Sequence, residues 1–421
     1  MHDQPSTVPR LPGFDHSLAL LREGYGFISS RCDSLGTDMF RTRIMLRPVT
    51  CLRGQAAAEM FYAGTRFTRS GAMPATVLRL LQDKGSVQAL DDAAHQHRKA
   101  LFVDLLMSDA AEAGFLELFT QEWRRAVGNW ATRPSIALFD EANLVLTRAI
   151  CRWMGVPLNP GGDVRLCREL SAMIESTASV GPRVLGALAL RRRAERFIVG
   201  LVRKLRAEPY GAAPHTPLAR IALFRGSDGK LLPDEVAAVE VLNILRPTVA
   251  IGRFIMFAAL ALAQHPHWRQ ALHGAGTEAY ERFAEEVRRL YPFFPAIGGI
   301  AREAFAWRGH RFEKGDWVLL DLYGTNHDPR RFPHPASFAP GQAPSWRDED
   351  YGFVPQGAGP VRQSHKCPGE RLTVATLREA TRLLVEEMDY ELPLQDLSVP
   401  LHRMPARTKD GMILANVRRV V

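Results

Sequence analysis

The chain has 421 residues, 46% hydrophobic and 24% charged, with a formal net charge of +9 carried mainly by arginine. With no Gly/Ser-rich linker, low-complexity run or fixed-period repeat, it excludes disordered and repeat architectures and predicts one domain over residues 1–421. Five scattered cysteines without a CxxC pair exclude a disulfide framework and a zinc site, and suit a reducing cytoplasm.

Residues 1–17 are polar and lack the apolar run of a signal peptide. The longest apolar stretch, residues 254–263, is too short to span a bilayer, so a soluble, cytoplasmic protein is expected. No basic helix interleaved with aromatics points to nucleic acid. The arginines read as a solvated surface with a mild pull on anionic ligands or membrane surfaces. No GxGxxG follows a strand, so no fused nicotinamide or flavin module is expected.

In chain order, residues 40–45 and 48–52 read as a hairpin turning at Leu46-Arg47, and residues 54–62 as a short helix. From Asp91 to about Leu262, apolar residues recur at three- and four-residue spacing, broken near Pro134, 157–162, 181–182, 209–217 and Pro233. That pattern predicts successive amphipathic helices. Pro233-Asp234-Glu235 opens the longest of them, with proline and acids at its start. Past Pro292 the pattern becomes short strands (301–305, 317–321), then a helix over 370–387, then strand-like pieces at 390–392 and 412–416. A mainly α, helix-rich single domain with small peripheral β-sheets follows.

Within the longest helix lies Asn243-Ile244-Leu245-Arg246-Pro247-Thr248. A helix-interior proline removes one backbone bond and kinks the helix, at about 3 kcal/mol. An arginine in an apolar stretch must be paired or it is strongly unfavourable. A guanidinium in a dry pocket suits a planar anion, which a carboxylate supplies bidentately.

Two further elements carry chemistry. Glu286 and Arg289 stand three apart on a helix that Pro292 stops, and Gln363-Ser364-His365-Lys366-Cys367-Pro368-Gly369-Glu370 precedes another helix. A cysteine at such a helix start is placed to be a thiolate, able to ligate haem iron.

The order Glu-x-x-Arg, Pro/aromatic stretch, short strands, cysteine loop resembles the cytochrome P-450 superfamily over nearly the whole chain. The resemblance implies the P-450 fold, haem b with Cys367 as axial ligand, and Glu286 and Arg289 as the pair bracing the cysteine loop. Where most of that superfamily carries an acid and a threonine, this chain has Arg246-Pro247, and Thr248 lies about 100° round the helix. Arg-Pro there resembles the fatty-acid peroxygenase branch, as do the surroundings of Glu286 and the long stretch from Phe353 to Cys367. That branch implies a fatty acid and hydrogen peroxide as partners, with no obligatory redox partner. Arg246 would pair with the substrate carboxylate, which serves as the general acid–base that Pro247 cannot be. Gln88 would lie above the haem, where decarboxylating members tend to carry histidine and hydroxylating members glutamine. His95 and Arg98, His365 and Arg69 would reach the haem propionates. The run Leu81-Gln82-Asp83-Lys84-Gly85 departs from the branch's aromatic-Gly-Lys-Gly, which bears on chain length and regiochemistry. No role is expected for Arg253.

The implied reaction is hydroxylation of a medium- or long-chain fatty acid at the α (or β) carbon. The ion pair contributes about 1.5–3 kcal/mol and each buried methylene about 0.8 kcal/mol, so the chain sets affinity and Arg246 sets register. The alternatives are decarboxylation to terminal alkenes, a reductase-driven monooxygenase, and a non-catalytic haem or fatty-acid sensor.

Overall fold

The structure is a computed structural model that describes residues 8–81, 85–178, 181–208, 215–348 and 350–420. Its first helices are α1 (Ser17–Glu23), α2 (Phe27–Leu35), α3 (Gln55–Tyr62), α4 (Ala75–Leu81) and α5 (Asp92–Leu106). The long ones follow: α6 (Asp109–Trp130), α7 (Leu138–Met154), α8 (Gly162–Glu175), α9 (Pro182–Ala207), the short α10 (Pro217–Ala222), and α11 (Asp234–Gln264). The last are α12 (Pro266–Leu272), α13 (Thr277–Leu290), α14 (Leu322–Asn326) and α15 (Glu370–Glu386). Short strands lie between them: β1 (Met39–Ile44), β2 (Arg47–Leu52), β3 (Phe67–Thr68), β4 (Ser135–Ala137) and β5 (Ala296–Ala301). After these come β6 (Phe305–Trp307), β7 (His310–Phe312), β8 (Trp317–Asp321), β9 (Met388–Glu391) and β10 (Ile413–Arg419). A helix-rich body with small sheets is the expected architecture.

Helix α11 is the axis of the body. Pro233 precedes it and Asp234 and Glu235 occupy its first turn, where the exposed N–H groups favour proline and acids. Apolar on nearly every side, it packs against α7, α8, α9, α13 and α15 in the main core. Its length and composition would suffice to cross a membrane, which the short run 254–263 had not suggested. Yet 94% of its most apolar window is buried inside the protein, the place of a core helix.

The largest sheet has the order β1-β2-β8-β5-β3, parallel only between β2 and β8. Its hairpin turns at Met45-Leu46, one residue before the expected Leu46-Arg47, because Ile44 pairs with Arg47. The strand expected over 301–305 does not exist: β5 ends at Ala301, residues 302–304 turn, and β6 begins at Phe305. The glycines of Ala296-Ile297-Gly298-Gly299 masked β5, since glycine weakens a strand. They are there for close approach: a Cβ on Gly298 would lie 2.1 Å from the Ala72 carbonyl oxygen, and one on Gly299 2.8 Å from Phe61. Helix α13 stops at Leu290 because Tyr291, before Pro292, is extended (φ −87°, ψ 140°).

Candidate active site

The cysteine loop is held by its own backbone. The Cys367 N–H donates to Gln356 O (2.9 Å), Val354 N–H to Asn326 Oδ1 (2.8 Å), and Ser364 Oγ to Ala358 O (2.8 Å). Gly357 and Gly359, at φ +90° and +80°, make bends that a side chain would strain. These contacts aim Cys367 three residues before α15. Burial pushes its thiol up from the ordinary value; the Gly369 N–H and Lys99 draw it down less strongly. A coordinated metal deprotonates such a thiol outright.

Basic side chains converge beside this loop. Arg69 is buried, donates to Gly298 O (3.0 Å) and lies 3.9 Å over the Phe61 ring. Lys99 is buried and donates to the carbonyls of Ser364 (3.1 Å) and Lys366. The rings of His95 and His365 lie 4.2 Å apart. Burial lowers all four: Arg69 to about 10, Lys99 to about 8, His95 to about 4 and His365 to about 2. Arg69 and Lys99 also depress both histidines by like charge. Among the described residues no carboxylate stands at ion-pair distance from Arg69 or Lys99. Two buried cations without a counter-charge, Arg69 and Lys99, and two neutral imidazoles beside a loop cysteine are the complement of a group with a metal centre and carboxylates at one edge. Those residues fit a haem and its propionates.

Arg98, expected in this set, has another partner. It donates to Glu240 Oε1 of α11 (2.7 Å) and to Gly85 O (3.3 Å). Along α5 it is Lys99, one turn after His95, that reaches the loop. Its i, i+4 spacing from His95 was the overlooked signal.

Behind the loop, Glu286 and Arg289 are fully buried and doubly bonded (2.7 and 2.8 Å). Arg289 also donates to the carbonyls of Asn326, Pro335 and Ser337; Glu286 accepts from Ala339 N–H and Gln342 Nε2. The pair thus fastens residues 326–342, and Asn326 in turn holds Val354 at the start of the cysteine loop. Direct contact with the far end of that loop belongs to an unforeseen neighbour. Arg288 bonds Glu285 and Glu370, and Lys366 Nζ lies 3.0 Å from Glu370 Oε2. Glu285 is pushed up to about 7, by burial first and Glu370 second, against the pull of Arg288.

On the other side stands α11. Arg246 is buried, 3% exposed, and donates to Leu80 O (3.3 Å) and Asn243 Oδ1 (3.1 Å). Asn243 Nδ2 donates to Glu240 Oε2 (2.8 Å), and Glu240 Oε1 accepts from Arg98 and from Val87 N–H (2.8 Å). Glu240, Asn243 and Arg246 recur every third residue along α11, so one polar row joins Arg98 to Arg246. The same row pins the 3₁₀ turn Val87–Ala89 that carries the half-buried Gln88. Pro247 lies inside the helix and has neither hydroxyl nor N–H. The Thr248 hydroxyl donates back to Ile244 O (2.8 Å). The departure at 82–84 lies outside the described residues.

Arg253 acquires a structural place: it bonds Ala406 O and Glu175, whose carboxylate Arg403 also contacts (3.4 Å), and lies 5.3 Å over Phe139.

A family model described as cytochrome P450 matches residues 280–413, from the start of α13 through Cys367 to β10. Among solved structures, cytochrome P450EX alpha (CYP152N1) with myristic acid is 38% identical at a TM-score of 0.94, covering 98% of this chain and all of that one. The chain belongs to the cytochrome P450 superfamily, in its fatty-acid peroxygenase branch. A variant of cytochrome P450 OleT in complex with arachidonic acid is 29% identical at a TM-score of 0.94, covering 98% of this chain and 99% of that one. More distant is the sterol 14alpha-demethylase of Mycobacterium tuberculosis, 28% identical over 87% of this chain and 86% of its own. The P450 fold expected from the motifs is borne out, and with it a haem whose axial ligand is a cysteine thiolate. As a cytochrome P450 the protein is an oxidoreductase.

Proposed function

We propose that this cytochrome P450 is a peroxygenase that hydroxylates medium- and long-chain fatty acids at the α (or β) carbon with hydrogen peroxide, without an obligatory redox partner. The observation that carries the reading is a buried arginine followed by proline in the middle of α11. Similarity to P450EX alpha, solved with myristic acid, supports the substrate class.

Haem ligated by Cys367 supplies the transfer of an oxygen atom from hydrogen peroxide. Arg69, Lys99, His95 and His365 would anchor its propionates. Glu286 and Arg289 keep the cysteine loop in register. Arg246 binds the substrate carboxylate through its planar fork and keeps the α and β carbons at the reacting end. Asn243 and Glu240 orient that guanidinium from behind. Neither Pro247 nor Thr248, whose proton is given to Ile244 O, can shuttle protons. The carboxylate on Arg246 therefore relays the peroxide proton as general base and then acid. Gln88, a neutral amide, donates hydrogen bonds but no proton at neutral pH, which favours hydroxylation over decarboxylation to alkenes.

The test is incubation of purified protein with myristic or palmitic acid and hydrogen peroxide, without reductase, followed by mass spectrometry. α- or β-hydroxy acids are expected. Terminal alkenes as the main product would establish the decarboxylating reading; products only with a reductase and nicotinamide cofactor would overturn the peroxygenase one.

A further inference from the structure

One end of the molecule exposes large apolar side chains in a form that packing does not explain. The β1–β2 hairpin turns on Met45 and Leu46, both with left-handed backbone (φ +52° and +62°). Such two-residue turns favour Asn-Gly, because bulky L-residues are strained there. Here the strained positions carry two apolar side chains, and Leu46 is 63% exposed. Strain retained with exposed apolar surface points to an external partner.

The turn does not stand alone. Met45 N–H donates to Ser17 Oγ (2.6 Å) and Leu46 N–H to Asp15 Oδ2 (2.7 Å), which clamps it to the start of α1. From that segment Phe14 (71% exposed), Leu18 (59%) and Leu21 also face outward, while Leu20 packs against the core cluster beneath. Leu18 and Leu21 are three apart and share one helix face.

Arginines ring these residues. Arg10, Arg22, Arg41 and Arg47 are exposed and Arg43 lies over Phe14 at 5.6 Å. Among the described residues, none of the five finds an ion-pair partner. Of the nearby acids, Glu23 is neutralised by Arg31 and Asp15 caps backbone N–H groups. An apolar tip inside a collar of unpaired cations is complementary to an anionic bilayer, whose headgroups meet the arginines while the tip enters the acyl boundary.

We propose that Phe14, Leu18, Leu21, Met45 and Leu46 form an insertion tip that docks the protein peripherally on membranes containing anionic lipid. The inference is independent of the fatty-acid reading.

Its test is co-sedimentation of the holoprotein with vesicles of phosphatidylcholine alone or mixed equally with phosphatidylglycerol. Wild type is expected to sediment with the mixed vesicles at low ionic strength, and less at high salt. The double variant Met45→Asn, Leu46→Gly supplies the residues this turn prefers, so it should fold at least as well, checked by thermal unfolding. It is expected to lose vesicle partitioning about tenfold or more. Wild type that stays in solution with mixed vesicles, binds pure phosphatidylcholine equally, or ignores salt overturns the proposal, as does a folded double variant that partitions unchanged.

Discussion

Two groups of buried basic side chains adjoin the cysteine loop, and they are built on opposite principles. On α13, Arg288 and Arg289 are matched by Glu285, Glu286 and Glu370, and backbone carbonyls absorb Arg289's remaining donors. Under α5, Arg69, His95, Lys99 and His365 face one another with carbonyls and aromatic rings but, among the described residues, no carboxylate within ion-pair reach. The matched group needs nothing more and is a brace. The unmatched group leaves Arg69 and Lys99 without a counter-charge, which is the ground for proposing that propionates bind there. Burial alone does not separate structure from function among charged residues; the balance of signs around them does.

The widest gap between the groups should appear on removing one arginine from each. Arg289→Met strands Glu286 in the core and is expected to destabilise the apoprotein by about 3–5 kcal/mol. Arg69→Met relieves repulsion but forfeits one carbonyl contact and the stacking on Phe61, so the apoprotein should lose no more than about 2 kcal/mol, while haem retention weakens. Denaturant unfolding of the two apoproteins decides it; equal losses would erase the distinction.

Next in size is Arg246→Ala. Loss of the positioning fork is expected to lower peroxide-driven fatty-acid turnover about a hundredfold, with haem content and the thiolate spectrum nearly unchanged. Turnover at the wild-type rate would remove the carboxylate relay.

A smaller effect concerns acid. His95, packed against His365 and near Lys99 and Arg69, is lowered to about 4 by burial first, then by those cations. A histidine held below its ordinary value of about 6.5 stabilises the fold fully above that value, and that stability is lost as pH falls toward 4. The haem-free protein should therefore weaken between these limits, and His95→Gln should flatten the slope of denaturation midpoint against pH. The smallest change belongs to Thr248→Ala. Because its hydroxyl is spent on Ile244 O, turnover with peroxide should stay within about twofold, set by the minor cost of a backbone-bonded hydroxyl.

Periodicity disclosed the helical body, since α11 and α13 are patterned by burial and punctuated by Pro233 and Pro292. Strand β5 escaped because its glycines serve contacts with Ala72 and Phe61 that lie far off in the chain. At the site, residues with a local signature were visible: Cys367 in its loop, Arg246 beside Pro247, Glu286 three before Arg289. Lys99, Glu240 and Arg288 were not, because their meaning depends on which distant carbonyl or carboxylate the fold brings to them. Arg98 was misplaced for the same reason: helix spacing fixed its face but could not reveal Glu240 waiting opposite.

The proline in α11 ties two traits together for anyone redesigning this catalyst. Replacing Pro247 with a hydroxyl-bearing residue also returns an amide hydrogen to the Asn243 carbonyl and removes the ring that crowds it. Closing that backbone bond would reshape the turn on which the guanidinium one position earlier is seated. Oxygen-activating groups therefore cannot be grafted here by a single exchange without loosening the hold on the acid.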